Sequence, residues 1–342
     1  MSARHLRIAV LAISLLATSI PPALKSIAAL LALSSAVLAG CAYIADSTAP
    51  KKQATSSRSD AAVKADALFW QTFHAGRYEE IPTVLRALTA ANRSDPDDAV
   101  TAAHIGWMHF WRLAESAPLD RVRPTIIYDA VVARRYFQKA VDLDPGEARY
   151  LGFLASATMA EGSIHRDEEL AHRGDYLMLG AIKAWPEFNL FTAGYVVAGR
   201  PADSEQFKQG LEWEWQDLEV CVNEKVSRTN PDYAKYMALA TTEGPKRACW
   251  NSWIAPHNFE GFFLNMGDML VKSGDWQTAQ KMYANAKLSP DYAEWKFRDV
   301  LEERIANAQR NVSAFNGSSR AVTDRGRMMQ ASSFACMACH QQ

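Results

Sequence analysis

The sequence shows little bias in charge, since its 342 residues include 37 lysines and arginines and 38 aspartates and glutamates. A balance of this kind gives no basic surface for nucleic acid and no polybasic cluster for anionic lipid. The short motifs of phosphate-binding loops, nucleophile elbows and zinc proteases are also missing. No stretch alternates apolar and polar residues as a half-buried strand does. The sequence therefore predicts a helical protein without a nucleic-acid surface or one of these familiar catalytic motifs.

Cysteine is scarce as well, with five residues, and two of them stand close together in Cys336-Met337-Ala338-Cys339-His340. Two thiols separated by two residues and followed by histidine form the attachment pattern of c-type haem. On one helical turn Cys336 and Cys339 share a face and can add to the two vinyl groups of one porphyrin. His340 then lies beneath the ring as the proximal iron ligand. The pattern predicts one covalent haem c on residues 331–342.

Two other uses of this motif remain open. A zinc site would need two further ligands, and only His340 is near in the sequence. A redox dithiol normally stands at the start of a helix in a βαβ unit, which this sequence lacks. Haem attachment also implies that the chain is exported, so the N-terminal residues bear on the choice.

Residues 1–40 have the features of a signal peptide. Arg4 and Arg7 precede two apolar runs, 8–20 and 27–39, and neither run reaches the 18 residues expected of a membrane span. Leu38-Ala39-Gly40-Cys41 resembles the bacterial lipoprotein box, which implies that Cys41 is lipidated and begins the mature protein. In lipoproteins, a residue other than aspartate after that cysteine accompanies outer-membrane sorting, and here it is alanine. The expectation is a lipid-anchored envelope protein, facing the periplasm from the outer membrane; an uncleaved anchor with an incidental cysteine is the alternative.

The segment 41–59 is polar and rich in serine and threonine, and it predicts a flexible tether that spans about 20 to 25 Å. The two remaining cysteines, Cys221 and Cys249, are candidates for a disulfide in the oxidising periplasm. Two buried free thiols are the alternative for that pair.

A helical repeat is visible between residues 260 and 291. The pattern closely resembles the 34-residue tetratricopeptide repeat, and it is carried by Phe263, Met266, Gly267, Leu270, Gly274, Trp276, Ala279, Tyr283, Ala286 and Pro290. A second match has a first helix at 101–113 and the second-helix residues Ala133, Phe137, Ala140 and Pro145, with an insertion of about fifteen residues between them. Insertions in such arrays form loops on one face, often the binding face.

Three weaker helix pairs, at 60–91, 148–184 and 187–220, extend the array. Because one helical hairpin cannot bury its apolar face alone, neighbouring hairpins stack into a solenoid with a concave groove. The predicted fold is therefore all-α, a tetratricopeptide-like solenoid over 60–310 with a cap helix at 291–309, a linker at 311–330 and a C-terminal haem-bearing tail. A helix over 321–335 is expected to deliver the haem motif. An irregular helical domain is the alternative fold.

The sixth ligand of a haem iron would come from elsewhere in the chain. His257, in an irregular segment before the clearest repeat, is the first candidate. Met328 and Met329 are alternatives, although both belong to the segment that presents the haem. His104 and His109 lie in an aromatic-rich helix, where core packing is the better interpretation.

These features predict an electron-transfer or binding protein more than a stand-alone enzyme. The leading hypothesis is a periplasm-facing, lipid-anchored monohaem cytochrome whose repeats bind a periplasmic or outer-membrane protein, an oxidoreductase being one class of partner. A non-redox scaffold or assembly lipoprotein of the outer membrane is the second hypothesis. A haem enzyme or gas sensor with an open distal site is the third.

Overall fold

The described part of the chain consists of α-helices, short 3-10 turns and connecting loops, and it contains no strand. The computed structural model describes residues 53–115, 125–250, 259–317 and 326–341. None of the helices in these ranges is long and apolar enough to cross a membrane. The predicted signal peptide, Cys41, most of the predicted tether and His257 lie outside them. The all-α prediction is confirmed for the described residues.

The helices follow one another closely along the chain. In the first half they are α1 (Asp60–His74), α2 (Ile81–Ser94), α3 (Ala99–Ala114), α4 (Ile126–Leu143), α5 (Ala148–His165), α6 (Glu168–Ala184), α7 (Pro186–Val197) and α8 (Glu205–Val222). They continue as α9 (Arg247–Trp250), α10 (Phe259–Ser273), α11 (Trp276–Asn285), α12 (Arg298–Asn316) and α13 (Met337–His340). Short 3-10 turns occupy Tyr78–Glu80, Ala234–Leu239, Ala286–Leu288 and Met329–Ala331.

Local sequence signals fix many of the helix ends. The Asp98 carboxylate accepts hydrogen bonds from the backbone N–H groups of Val100 and Thr101, and it caps α3. Asp167 caps α6 in the same way. Helix α7 begins with Pro186, whose ring suits the first helical turn because no N–H partner is needed there. Each of these three helices therefore begins at the position that its capping residue or its proline indicates.

Consecutive helices pack as antiparallel pairs: α1 with α2, α3 with α4, α5 with α6, α7 with α8, and α10 with α11. The first helices of neighbouring pairs also touch, as α1 touches α3 and α5 touches α7. Close approach within a pair needs small residues. A Cβ atom on Gly267 of α10 would lie 2.2 Å from Cε1 of Tyr283 on α11. A bulkier residue at that position would push the two helices apart.

The disulfide lies between α8 and α9. Cys221 near the end of α8 is bonded to Cys249, and the two Cα atoms are 5.8 Å apart. The bond ties the loop that follows α8 back to the helix.

The C-terminal part differs from the sequence prediction in its helix bounds. A helix was expected at 291–309, but α12 covers Arg298–Asn316 and continues into the predicted linker. Residues 291–297 form turns, and the indole Nε1 of Trp295 there donates to the carbonyl oxygen of Ala338. The helix expected at 321–335 is also absent from the described residues 326–335, where the only regular element is the 3-10 turn at Met329–Ala331. Tertiary contacts of that backbone, described below, replace the helical ones.

Candidate functional site

The two thiols and the imidazole of the predicted haem motif lie on one helical turn. The backbone N–H groups of Cys339 and His340 both donate to the carbonyl oxygen of Cys336, at 3.1 and 3.0 Å. All three side chains line the same cavity. The spacing of the motif therefore presents both sulfur atoms and the imidazole to one space.

Hydrogen bonds with three distant parts of the chain hold this turn in place. The indole of Trp295 donates to the carbonyl oxygen of Ala338 at 2.9 Å, and the pair is buried. The hydroxyl of Tyr195 on α7 donates to the carbonyl oxygen of Ala335 at 3.3 Å. The Gln341 amide donates to the carbonyl oxygen of Ala75, after α1, at 3.0 Å.

A buried ionic cluster anchors the residues before the motif; we call residues 326–341 the tail segment. Asp268 on α10 accepts hydrogen bonds from the Tyr283 hydroxyl at 2.6 Å and from the backbone N–H of Met329 at 2.7 Å. Its carboxylate also pairs with the guanidinium of Arg304 at 3.1 Å, and both side chains are almost fully buried. Arg304 in turn donates to the carbonyl oxygen of Arg327. The tail segment is thus held by side chains of α10 and α12.

The cavity beside the motif has aromatic walls. It is lined by residues of α3, α5 and α7, which are the first helices of three successive pairs, and by the tail segment: Trp107, Phe110, Ala114, Phe153, Ser156, Phe191, Thr192, Tyr195, Val196, Ala335, Cys336, Cys339 and His340. The ring of His340 lies 4.6 Å from the Phe73 ring and 5.6 Å from the Trp107 ring, measured between centroids. These contacts enclose the imidazole in apolar surroundings.

A larger cavity adjoins the first one. The space at the motif is about 60 Å³ and the adjoining space is about 430 Å³. The two share five lining residues, namely Phe110, Ala114, Ser156, Tyr195 and Val196. The larger cavity alone falls in the range of about 300 to 1,000 Å³ that is usual for cofactor and small-molecule sites.

Burial raises the pKa of both motif thiols. The pKa of Cys336 and that of Cys339 lie well above the ordinary value for a thiol, mainly because desolvation disfavours the charged form. Burial likewise raises the pKa of Tyr195, with the two nearby cysteines adding to the effect. A buried, protonated thiol is a poor nucleophile for disulfide exchange.

The donor set fits haem better than it fits zinc or a redox dithiol. Within the described ranges, no group of three or more His, Cys, Asp and Glu side chains is placed to hold a metal ion. A closed zinc site would need four such ligands. A porphyrin needs two thiols and one imidazole facing an apolar cavity with aromatic walls, and these residues provide that.

The other histidines and methionines that the sequence analysis considered as iron ligands, where the structure describes them, lie away from the two cavities. Neither Met328 nor Met329 lines the two cavities, and the Met329 side chain is fully buried. His104 and His109 are buried on α3, where their Nδ1 atoms lie 2.8 Å from Asp66 and 2.7 Å from Asp129. Met159 carries the only thioether among the described residues that line the larger cavity.

Sequence reasoning missed the residues that build the cavity walls. The helix that contains Trp107 and Phe110 was interpreted as core packing, and Phe191 and Tyr195 lie in the weaker helix pair at 187–220. A signal for them exists, because Trp107 and Phe110 are spaced by three residues and Phe191 and Tyr195 by four, so each pair shares one helix face. The sequence does not show that both faces meet the same distant turn.

No family model, no curated protein and no solved structure matches the chain.

Proposed function

We propose that this protein is a monohaem c-type cytochrome built on a tetratricopeptide-like helical-repeat scaffold, and that it exchanges electrons with a bound partner protein. One observation carries the proposal. Cys336, Cys339 and His340 lie on a single turn, and all three line one cavity with aromatic walls, which shares five wall residues with a larger cavity. This is the arrangement that covalent attachment and proximal ligation of one haem require.

Attachment of a haem to the two thiols needs no oxidant. Cys336 and Cys339 would each add across one vinyl group of the haem, so that an S–C bond would form, the C=C bond would become single, and the thiol hydrogen would move to the neighbouring carbon. When bound, the haem supplies one-electron redox chemistry. The chain's own residues supply the rest: Phe73 and Trp107 orient the imidazole of His340, and Tyr195 and Trp295 fix the backbone of the turn. The aromatic walls surround the motif with apolar side chains, and an apolar shell of this kind would tune the potential of a bound haem.

The thiols favour this role over disulfide exchange. A catalytic dithiol needs an exposed thiolate of lowered pKa, whereas burial raises the pKa of both Cys336 and Cys339. Both residues are less than a tenth exposed. Such thiols suit a structural or covalently modified role.

The scaffold proposal rests on the helix pairs. The first helices of consecutive pairs, α3, α5 and α7, all contribute walls to the two cavities. In a solenoid of stacked hairpins, one set of helices faces the concave side, which these proteins use for binding. We propose that this side holds the haem, and that the surface around it receives the redox partner, a periplasmic or outer-membrane protein.

The proposed location is the bacterial envelope, facing the periplasm from the outer membrane, with Cys41 as the lipidated residue. Fractionation of cells that express the wild type and Cys41→Ser tests it. The wild type should sediment with membranes and the variant should not. Equal distribution of the two would contradict lipid anchoring.

The larger cavity favours a second candidate function, a haem enzyme or gas sensor with an open distal site. No histidine other than His340 lines either cavity among the described residues. Carbon monoxide added to the reduced, haem-loaded protein distinguishes the two candidates. Rapid spectral change indicates an open iron, and no change indicates a six-coordinate electron carrier.

An alkaline pyridine haemochrome spectrum with intact mass tests the main proposal, on protein expressed with its own signal in a host that matures c-type cytochromes. We expect the c-type band and the mass of one haem in the wild type. Both should be lost in Cys336→Ala/Cys339→Ala. The matched control, Cys221→Ala/Cys249→Ala, removes the other two described cysteines and should keep the haem. Apoprotein from the wild type would refute the cytochrome proposal and leave a scaffold lipoprotein.

A further inference from the structure

The two cavities share five wall residues, from α3, α5 and α7, and differ in the chemistry of their other walls. Cys336, Cys339 and His340 line only the smaller cavity, at the motif, whereas Arg200 and Gln330 line only the larger one. Arg200 and the two thiols are therefore placed on either side of the same apolar wall residues.

Arg200 is the charged residue at the wall of the larger cavity. Among the described residues that line either cavity, it is the only lysine, arginine, aspartate or glutamate. It is partly buried, and it forms no ion pair or side-chain hydrogen bond with a described residue. A guanidinium is a rigid fork of donors that matches the geometry of a carboxylate. An arginine at the wall of an apolar cavity without a carboxylate thus favours an anionic group inside.

Gln330 stands beside Arg200 and adds a second donor. A Cβ atom on Gly199 would lie 2.9 Å from Oε1 of Gln330, so the glutamine side chain packs directly on the residue before Arg200. Gln330 belongs to the tail segment, and its neighbour Met329 is tied to Asp268 through the backbone. The anchoring of the tail segment therefore also sets the position of this amide.

We propose that Arg200, with Gln330 beside it, binds a propionate carboxylate of the attached haem and so fixes the orientation of the macrocycle. The inference rests on the proposed function. Haem is an apolar ring with two reactive vinyl groups and two carboxylates, and the two cavities have apolar walls, two thiols and one cationic residue. Arg200 is in this view a positioning residue.

An ion pair between Arg200 and a propionate should affect the redox potential of the haem. With Arg200 in place, the propionate carboxylate stays ionised and its negative charge is compensated by the guanidinium. In Arg200→Leu the uncompensated negative charge stabilises the oxidised iron, so the midpoint potential falls. The pKa of the freed carboxyl also rises, because it has lost an opposite charge in a partly apolar site. The variant's potential should then depend on pH near that pKa, where the wild type's does not.

The test compares haem-loaded wild type, Arg200→Leu, Arg200→Lys and the control Arg173→Leu, which removes an exposed arginine on α6. Measurements are the midpoint potential as a function of pH and the propionate bands in resonance Raman spectra. We expect a lower, pH-dependent potential and shifted propionate bands in Arg200→Leu, an intermediate result in Arg200→Lys, and wild-type values in Arg173→Leu. If Arg200→Leu does not fold, Gln330→Leu and Arg200→Lys should show the same shifts at smaller size.

Three results would overturn the inference. Wild-type potentials and Raman bands in Arg200→Leu, with covalent haem present, would refute it and leave the proposed function intact. A wild type without haem would refute both. Added acetate or nitrite that perturbs the wild-type haem spectrum but not that of Arg200→Leu would show that Arg200 takes a free anion instead of the propionate.

Discussion

Replacing Asp268 by asparagine tests how the tail segment is held. The change keeps the shape of the side chain but removes the negative charge that faces Arg304, and the two side chains are only 0% and 1% exposed. Removing one member of a buried ion pair leaves an uncompensated charge, which costs about 3 to 5 kcal/mol. For a domain of this size each kcal/mol lowers the melting temperature by roughly 2 to 4 °C. We expect a fall of roughly 6 to 20 °C, together with faster proteolysis within the tail segment.

Two further variants make this test selective. Glu302→Gln breaks an ion pair with Lys287 whose partners are 53% and 40% exposed, and it should cost at most about 1 kcal/mol. Asp268→Asn/Arg304→Met removes both buried charges, and it should be less destabilised than Asp268→Asn alone. Urea unfolding at pH 7 measures all three. The reasoning is refuted if Asp268→Asn costs no more than Glu302→Gln, or if the double variant is destabilised as much as Asp268→Asn alone or more.

Three further predictions concern stability. Burial lowers the pKa of Lys272 from 10.5 to about 8. Between these pH values the unfolded chain binds one more proton than the folded chain, so the free energy of unfolding should rise with pH by up to about 1.4 kcal/mol per pH unit. Urea titrations of Lys272→Met should lack this rise. Trp295→Phe deprives the carbonyl oxygen of Ala338 of its indole donor and should cost about 1 to 3 kcal/mol in urea unfolding. Gly267→Ala places a methyl group 2.2 Å from the Tyr283 ring, and calorimetry should show about 1 to 3 kcal/mol of destabilisation.

Each of these predictions has a result that contradicts it. The same pH profile in Lys272→Met and in the wild type would mean that the lysine keeps an ordinary pKa. Equal stability of Trp295→Phe and Trp276→Phe, the latter a partly exposed tryptophan at the start of α11, would mean that the indole bond contributes nothing. A melting temperature of Gly267→Ala at or above that of the wild type would show that the helices adjust without cost.

Much of the fold follows from local signals in the sequence. The helix pair predicted at 148–184 ends where α6 ends, and Asp167 caps the start of α6 while Pro186 begins the next helix. The pair predicted at 60–91 needs a turn between its two helices, and Gly76, after α1, has a φ of +65°, which favours glycine. Signals of this kind act within a few residues, so they can be read without knowledge of the tertiary structure.

The C-terminal part could not be predicted in the same way. Tyr292, Trp295 and Phe297 fit an amphipathic helix, yet Trp295 is placed by its bond to Ala338 and α12 begins only at Arg298. Residues near Met329 were expected in a helix over 321–335, but contacts with Asp268 and Arg304 decide their backbone instead. Long-range contacts overrode the periodicity in both places.

The candidate site, too, could be predicted from the sequence only in part. The shared face of Cys336, Cys339 and His340 follows from their spacing, and the structure has them on one turn. The walls of the cavity come from helices more than a hundred residues away, so no spacing in the sequence indicates them. His257 and Cys41, two residues of the sequence hypothesis, lie outside the described residues.

The contact between Gln341 and Ala75 joins residues that are 266 positions apart. Contacts over such a distance close a long loop, and chains that depend on them fold slowly. The helix pairs between the two residues can form first from nearer contacts, so docking of the tail segment belongs among the late steps of folding. Until then Cys336 and Cys339 are open to solvent, and afterwards they are buried. Any reaction of the two sulfur atoms that needs access from solvent must therefore occur before the tail segment docks.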